Sequence, residues 1–295
     1  MIGDEMMIRL IATDMDGTLL NSAHEISEEN IQAIKYAQSK GVTVAIATGR
    51  AFYEANTPVK PTGLKVPFIC LNGAEVRDEA FNIIYTSKIS DEQIGLITEI
   101  LKKHHLYYQV YTSARIYTED KEKDLEIYLD IAEKMGHTPD VEKIRKSIQK
   151  RIDNGSLKEV DSYEEIYQRE GEVVLKFLAF SSDLSKIDAA KTELAEYNSL
   201  AISSSSRGNI EITHTNAQKG IALESICEKL NITMDEVMAI GDNLNDVSML
   251  ERAKYSFAMS NGAEEVKKIA RYMAGDNEES GVGRAIMQVM NGEIK

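Results

Sequence analysis

Two cysteines among 295 residues, Cys70 and Cys227, leave little scope for a disulfide framework. Both stand inside apolar runs, so both are expected to be buried thiols and not a bridge. Basic residues are also in short supply. Lys plus Arg number 34 against 48 Asp plus Glu, a net charge of −14. No basic stripe offsets that balance, which argues against nucleic acid or an anionic membrane surface as a partner. A small anionic substrate stays open if a few cations are placed locally, and a divalent metal ion is a natural supplier. No apolar run approaches a membrane span, and Met1–Met7 has neither the basic start nor the apolar core of a signal peptide. The expectation is a cytoplasmic protein, as monomer or homodimer. Histidine offers no metal site. His104 and His105 are adjacent and on a helix would point roughly 100° apart, while His24, His137 and His214 lack a ligand-spaced partner. There is no internal repeat, and the run Ser203–Ser206 is too short for a linker.

What is present begins at Ile8–Thr13, an apolar run without helical period that reads as a buried strand of a parallel sheet. It ends in Asp14-Met15-Asp16-Gly17-Thr18. Two carboxylates at i and i+2, where a buried strand leaves its sheet, repel one another and lose solvent unless a cation joins them. In open α/β sheets this carboxyl edge is where ligands bind. The economical reading is a metal-assisted site with one Asp as nucleophile. An Asp-x-Asp pair alone is more often a solvated turn; the tight Asp-Gly-Thr turn after an apolar run points the other way.

Ser27 caps an expected helix with Glu28 and Glu29 in its first turn, and Gly41 stops it. Val42–Ala47 is a second strand ending in Thr48-Gly49-Arg50, so a right-handed crossover brings Thr48 to the edge that holds Asp14. Phe68–Leu71 is a third strand, ending in Asn72-Gly73-Ala74, with a hairpin after it. From about Ile89 the character changes. Ser90 and Gln93 form a capping box, Tyr107–Tyr111 and Arg115–Tyr117 alternate like half-exposed antiparallel strands, and 120–170 reads as mostly helical. Further strands are expected at Val173–Phe180, Leu200–Ser204 and Asn209–Ile212, around a helix from Asp183 to Tyr197.

The α/β pattern then resumes with a helix opened by Lys219, a placement unfavourable for the helix dipole and better suited to a functional site than to stability. Val237–Ile240 is another buried strand, ending in Gly241-Asp242-Asn243-Leu244-Asn245-Asp246. With Asp14 and Asp16 these carboxylates could form an oxygen-rich cage suited to Mg²⁺. Closing strands are expected at Tyr255–Met259 and Arg271–Ala274, each followed by a helix. The fold expected is an α/β, Rossmann-like parallel-sheet core (1–87 and 214–295) interrupted by an inserted α+β domain (88–213).

In order, Asp14-Met15-Asp16-Gly17-Thr18, Thr48-Gly49-Arg50, Lys219 and Gly241–Asp246 resemble the four motifs of the haloacid dehalogenase superfamily. The insert resembles the cap of its Cof-type sugar-phosphatase branch. That resemblance implies a phosphatase in which Asp14 attacks phosphorus and forms an aspartyl-phosphate. It implies that Asp16 protonates the leaving oxygen and then activates water. Thr48 and Lys219 would bind the phosphoryl oxygens, with Gly49, Asn72, Gly73 and Asn245 completing the substrate contacts. Mg²⁺ would be held by Asp14, the Asp16 carbonyl and Asp242, with Asp246 supporting them. The chemistry is coherent, because a carboxylate facing a phosphate needs the repulsion cancelled, as Mg²⁺ and Lys219 would do. Relatives of this architecture act on sugar phosphates, the ribitylaminouracil phosphate of riboflavin synthesis and pyridoxal phosphate. Specificity is expected in the cap, with Arg115, Tyr117, Lys176 and Arg207 as candidate lining residues. Two other readings are a phosphotransferase or mutase that passes the phosphoryl group to a sugar, and a ligand-binding regulator without catalysis.

Overall fold

The computed structural model describes residues 8–134, 138, 140–204 and 208–294. The chain divides into two compact units. One runs to Thr86 and resumes at Ala217; the other is Ser87–Asn216. Arg207 and His137 lie outside the described residues.

The first unit opens with β1 (Leu10–Asp14), buried along its whole length as a central parallel strand must be. A tight turn follows, with Gly17 at φ +76°. Helix α1 (Glu28–Ser39) starts on Ser27, whose Oγ accepts from Asn30 N–H at 3.2 Å, and gives out before Gly41 at φ +84°. Then come β2 (Thr43–Ala47), α2 (Phe52–Val59), β3 (Phe68–Cys70), β4 (Glu75–Arg77) and β5 (Ile83–Thr86).

The second unit carries α3 (Asp91–Lys103), β6 (Tyr107–Thr112), β7 (Ile116–Thr118), α4 (Lys121–Lys134), α5 (Val141–Asp153), β8 (Leu157–Glu159) and α6 (Glu164–Tyr167). It continues through β9 (Val174–Phe180), α7 (Leu184–Leu194), β10 (Leu200–Ser203) and β11 (Asn209–His214). Its sheet has the order β10-β11-β9-β6-β7-β8. The capping box at α3 forms as expected, Gln93 N–H on Ser90 Oγ at 3.3 Å and Ser90 N–H on Gln93 Oε1 at 2.9 Å. Helices α3 and α7 bury Ile94, Ile97, Leu101, Ile187 and Leu194 against Val110, Phe177, Ile210 and Ile212 of the sheet.

The stretch 120–170 is mostly helical as expected, with one addition, and one expectation fails here. The stretch 120–170 holds a strand, β8, which pairs parallel to β7 in a sheet otherwise antiparallel. Its charged pair Lys158-Glu159 hides the single buried anchor, Leu157, from any alternation test. Neither β6 nor β7 is half-exposed: β6, between β9 and β7, is buried at all but Tyr107, and β7 is buried throughout with β8 on its edge.

The first unit closes with α8 (Lys219–Leu230), β12 (Val237–Gly241), α9 (Val247–Arg252), β13 (Tyr255–Met259), α10 (Glu264–Ile269), β14 (Tyr272–Ala274) and α11 (Gly281–Met290). Its sheet runs β14-β13-β12-β1-β2-β3-β4-β5, parallel from β14 to β3 and antiparallel beyond. Ala12 pairs with Ala45 on one side and Ala239 on the other, so small residues line the middle of the sheet beneath Leu223, Ile226 and Met249 of α8 and α9. Asn30 is buried yet satisfied, giving Nδ2–H to Leu19 O and taking Gly283 N–H, and so ties the turn after β1 to α1 and α11. The α/β core with a parallel sheet is as the sequence indicated. Among the described residues no helix is long and apolar enough to cross a membrane.

Candidate active site

Strands β1 and β12 are neighbours, so their carboxyl ends deliver Asp14 and Asp242 side by side. Gly17 makes this approach possible: a Cβ there would stand 2.6 Å from Asp242 Oδ2, at a φ that side-chain-bearing residues rarely adopt. Thr18 Oγ1–H donates to Asp242 Oδ1 at 2.8 Å and fixes that carboxylate from the far side of the turn. Asn261 Nδ2–H holds Gly17 O at 2.8 Å.

Lys219, at the start of α8, is fully buried, with Nζ 2.5 Å from Asp14 Oδ1 and 2.6 Å from Asp246 Oδ1. The awkward lysine at a helix start is thereby explained. Burial alone would push its pKa down, but Asp14 and Asp246 outweigh that and carry it above the ordinary lysine value, so it stays an ammonium. The second oxygen of Asp246 accepts the backbone N–H groups of Asp242 (2.9 Å) and Asn243 (3.0 Å). Asp246 is therefore a brace that holds the turn after β12 and orients Lys219, with no oxygen left uncommitted.

The carboxyl of Asp14 sits well above its usual pKa range, first because it is buried and then because Asp246 lies close, Lys219 notwithstanding. Asp242 is raised too, mainly by burial, and its carboxyl meets that of Asp14. Carboxylate oxygens of Asp14, Asp242 and Asp246 fall within 4.8 Å of one another. Three carboxyls crowded about one ammonium make an acid-rich site, the kind of environment a divalent cation would stabilise. Hard carboxylate oxygens fit Mg²⁺ in preference to a softer metal.

The ends of β2 and β3 complete the edge. Thr48 is 1% exposed; its Oγ1 accepts Arg50 N–H at 3.1 Å, which leaves the hydroxyl proton free to be donated. Asn72, at φ +58°, has its N–H on Thr48 O and its Oδ1 accepting Asn245 Nδ2–H at 3.0 Å. Gly49 lies against the Asn72 side chain, and Gly73, at φ +107°, against the backbone of Gln218. Asp16 is the exception: its carboxylate is not one of the clustered three and forms a bidentate pair with Arg50, Nε to Oδ2 at 2.8 Å and Nη2 to Oδ1 at 2.5 Å.

Residue roles that reading the sequence missed are those of Thr18 and Arg50. Both stood inside quoted motifs, yet which partner each takes depends on loops distant along the chain. The lining candidates of the insert fare unevenly. Tyr117 is a core residue, 1% exposed, because β7 pairs it with Val110 on the apolar face; its hydroxyl accepts from Arg169 at 2.9 Å. Lys176 is buried in an ion pair with Glu211 at 2.8 Å, under the Tyr111 ring. Arg115 is half-buried.

Comparison with known proteins identifies the family. Residues 11–286 match the family described as haloacid dehalogenase-like hydrolase. Phosphatase YwpJ of Bacillus subtilis is 31% identical over 285 residues, 96% of this chain and 100% of that protein. The 5-amino-6-(5-phospho-D-ribitylamino)uracil phosphatase YwtE of Bacillus subtilis is 32% identical over 97% of this chain and 99% of its own. Pyridoxal phosphate phosphatase YbhA of Escherichia coli is 26% identical, over 95% and 98%. A solved haloacid dehalogenase-like hydrolase from B. subtilis superimposes with a TM-score of 0.79 at 32% identity, covering 95% of this chain and 99% of its own. With the acidic edge, the buried lysine and these relatives in agreement, the chain belongs to the haloacid dehalogenase-like hydrolases and is a phosphatase among them.

Proposed function

We propose that the chain is a Mg²⁺-dependent phosphatase of small phosphorylated metabolites that works through a phosphoryl group carried on Asp14. The observation that carries this reading is the buried contact of Lys219 with Asp14 and Asp246, beside Asp242. Asp14 and Asp242, with the Asp16 carbonyl, would hold the metal ion, which supplies positive charge against the incoming phosphate. Lys219 orients the free oxygen of Asp14 toward phosphorus by binding the other. The Thr48 hydroxyl, the Asn72 and Asn245 amides and the backbone at Gly49 and Gly73 receive the phosphoryl oxygens. Phosphoryl transfer needs chiefly such placing and charge compensation. Asp16 gives a proton to the leaving oxygen and takes one from the water that releases phosphate from Asp14.

On the name of YwtE, 5-amino-6-(5-phospho-D-ribitylamino)uracil heads the proposed substrates, with pyridoxal phosphate, on the name of YbhA, and sugar phosphates next. The cytoplasm is the proposed setting, with Cys70 and Cys227 as buried free thiols. The test is phosphate release from a metabolite panel with Mg²⁺ and with EDTA. Wild-type protein is expected to turn over only with metal, and Asp14→Asn to release none while melting at the wild-type temperature. Turnover by Asp14→Asn would refute the assignment.

A further inference from the structure

The pair between Arg50 and Asp16 has geometry that its contribution to stability does not explain. The side chains are 25% and 48% exposed, and ion pairs that wet contribute little. Yet both carboxylate oxygens are engaged by a planar fork that an ammonium could not reproduce. The fork is also rigidly rooted. Arg50 N–H donates to Thr48 Oγ1, Arg50 O accepts Leu71 N–H at 3.0 Å, and Thr48 is tied by its own N–H to Ile69 O at 2.8 Å and by its carbonyl to Asn72 N–H at 3.0 Å. Asp16 has no such anchorage of its own. It stands in the turn before Gly17, and among the described residues Arg50 is the side chain that holds it.

Resting on the phosphatase reading above, we propose that Arg50 is a positioning residue for Asp16. It holds one carboxyl oxygen while the other swings to the reacting atoms. In the first half-reaction an Asp14 oxygen forms a bond to phosphorus and the ester P–O bond breaks. The electron pair stays on the leaving oxygen, which takes the proton from the released oxygen of Asp16. In the second, a water oxygen bonds to phosphorus, Asp16 takes the water proton, and the bond to Asp14 breaks with its electrons returning to Asp14. Throughout, the other Asp16 oxygen accepts an N–H of Arg50. The carboxyl thus pivots about one hydrogen bond and does not sample every rotamer open to an exposed aspartate.

The test compares two esters, 4-nitrophenyl phosphate, whose phenolate leaves without a proton, and the alkyl phosphate hydrolysed best in the metabolite panel. Arg50→Ala is expected to lower kcat/KM, which reports the first half-reaction, on the alkyl ester by about tenfold or more relative to its effect on 4-nitrophenyl phosphate, since a placed general acid contributes at least that much. KM should change little on either. Arg50→Lys should not restore the loss, and Arg50→Ala with Asp16→Asn should be no slower on the alkyl ester than Asp16→Asn alone. Equal losses of kcat/KM on both esters, a rise in KM alone, or a double variant slower than Asp16→Asn would overturn the proposal. Undiminished turnover by Asp14→Asn, or no turnover by the wild type on either ester, would instead remove the phosphatase reading and the proposal with it.

Discussion

A lysine with no exposed surface is stable only where acids surround it, and Lys219 shows how a single residue can organise a site. Its two partners keep it charged, and it in turn holds Asp14 and Asp246 together at distances their mutual repulsion would otherwise forbid. Glu75 shows the opposite balance. Burial lifts its pKa above the usual glutamate value although Arg77 contacts it at 2.6 Å. A carboxyl raised in the folded state binds more protons there than in the unfolded chain. Its contribution to stability therefore falls as pH rises from about 4.3 through the folded value, then levels off. Glu75→Gln, which does not titrate, should gain stability relative to wild type across that window and hold a constant difference above it, as followed by urea midpoints from about pH 4 to neutrality. A difference independent of pH would show that Glu75 titrates in the folded protein as it does unfolded. The same burial, and Glu75 itself, push the Cys70 thiol up, in keeping with an inert cysteine.

Among the elements, the middle strands of the second sheet carry the least expected feature. Lys176 of β9 sits opposite Tyr111 of β6 and Thr213 of β11, and reaches diagonally to Glu211, burying both charges. Breaking such a pair leaves an uncompensated charge, whereas replacing both members leaves none. Lys176→Met is expected to cost about 3–5 kcal/mol, and Lys176→Met with Glu211→Leu much less, as measured by denaturant unfolding. A double variant as unstable as the single would show that the pair itself stabilises the sheet. Elements with local causes were legible in the chain: the Ser27 and Ser90 caps, the helix opened by Lys219, and the apolar runs that became β1, β2 and β12. Strand β8 was not, since a three-residue edge strand with one buried side chain leaves too little pattern to separate from the charged helices around it.

For the molecule as a whole, the acidic excess and the acidic site are separate matters. The net charge of −14 is a sum over the whole chain, whereas the site concentrates three acids about one lysine. A divalent cation should therefore bind the folded chain and not the unfolded one. At a hundredfold excess over its Kd, Mg²⁺ is expected to add about 2.7 kcal/mol to the stability of the first unit, seen as a rise of several degrees in its melting temperature. EDTA should reverse the rise and Asp242→Asn abolish it. An equal rise in Asp242→Asn would place the ion elsewhere.

By itself the sequence marked the candidate reacting groups and determined where strands would end, because short apolar runs closing on Asp-x-Asp-Gly-Thr, Thr-Gly-Arg and Gly-Asp are local signals. Tertiary structure decided their partners. Asp16 takes the fork of Arg50, Thr18 takes Asp242, Tyr117 turns inward, and Asp246 spends both oxygens on Lys219 and the backbone. Those choices join residues as far apart as 18 and 242, which meet because β1 and β12 are neighbouring strands.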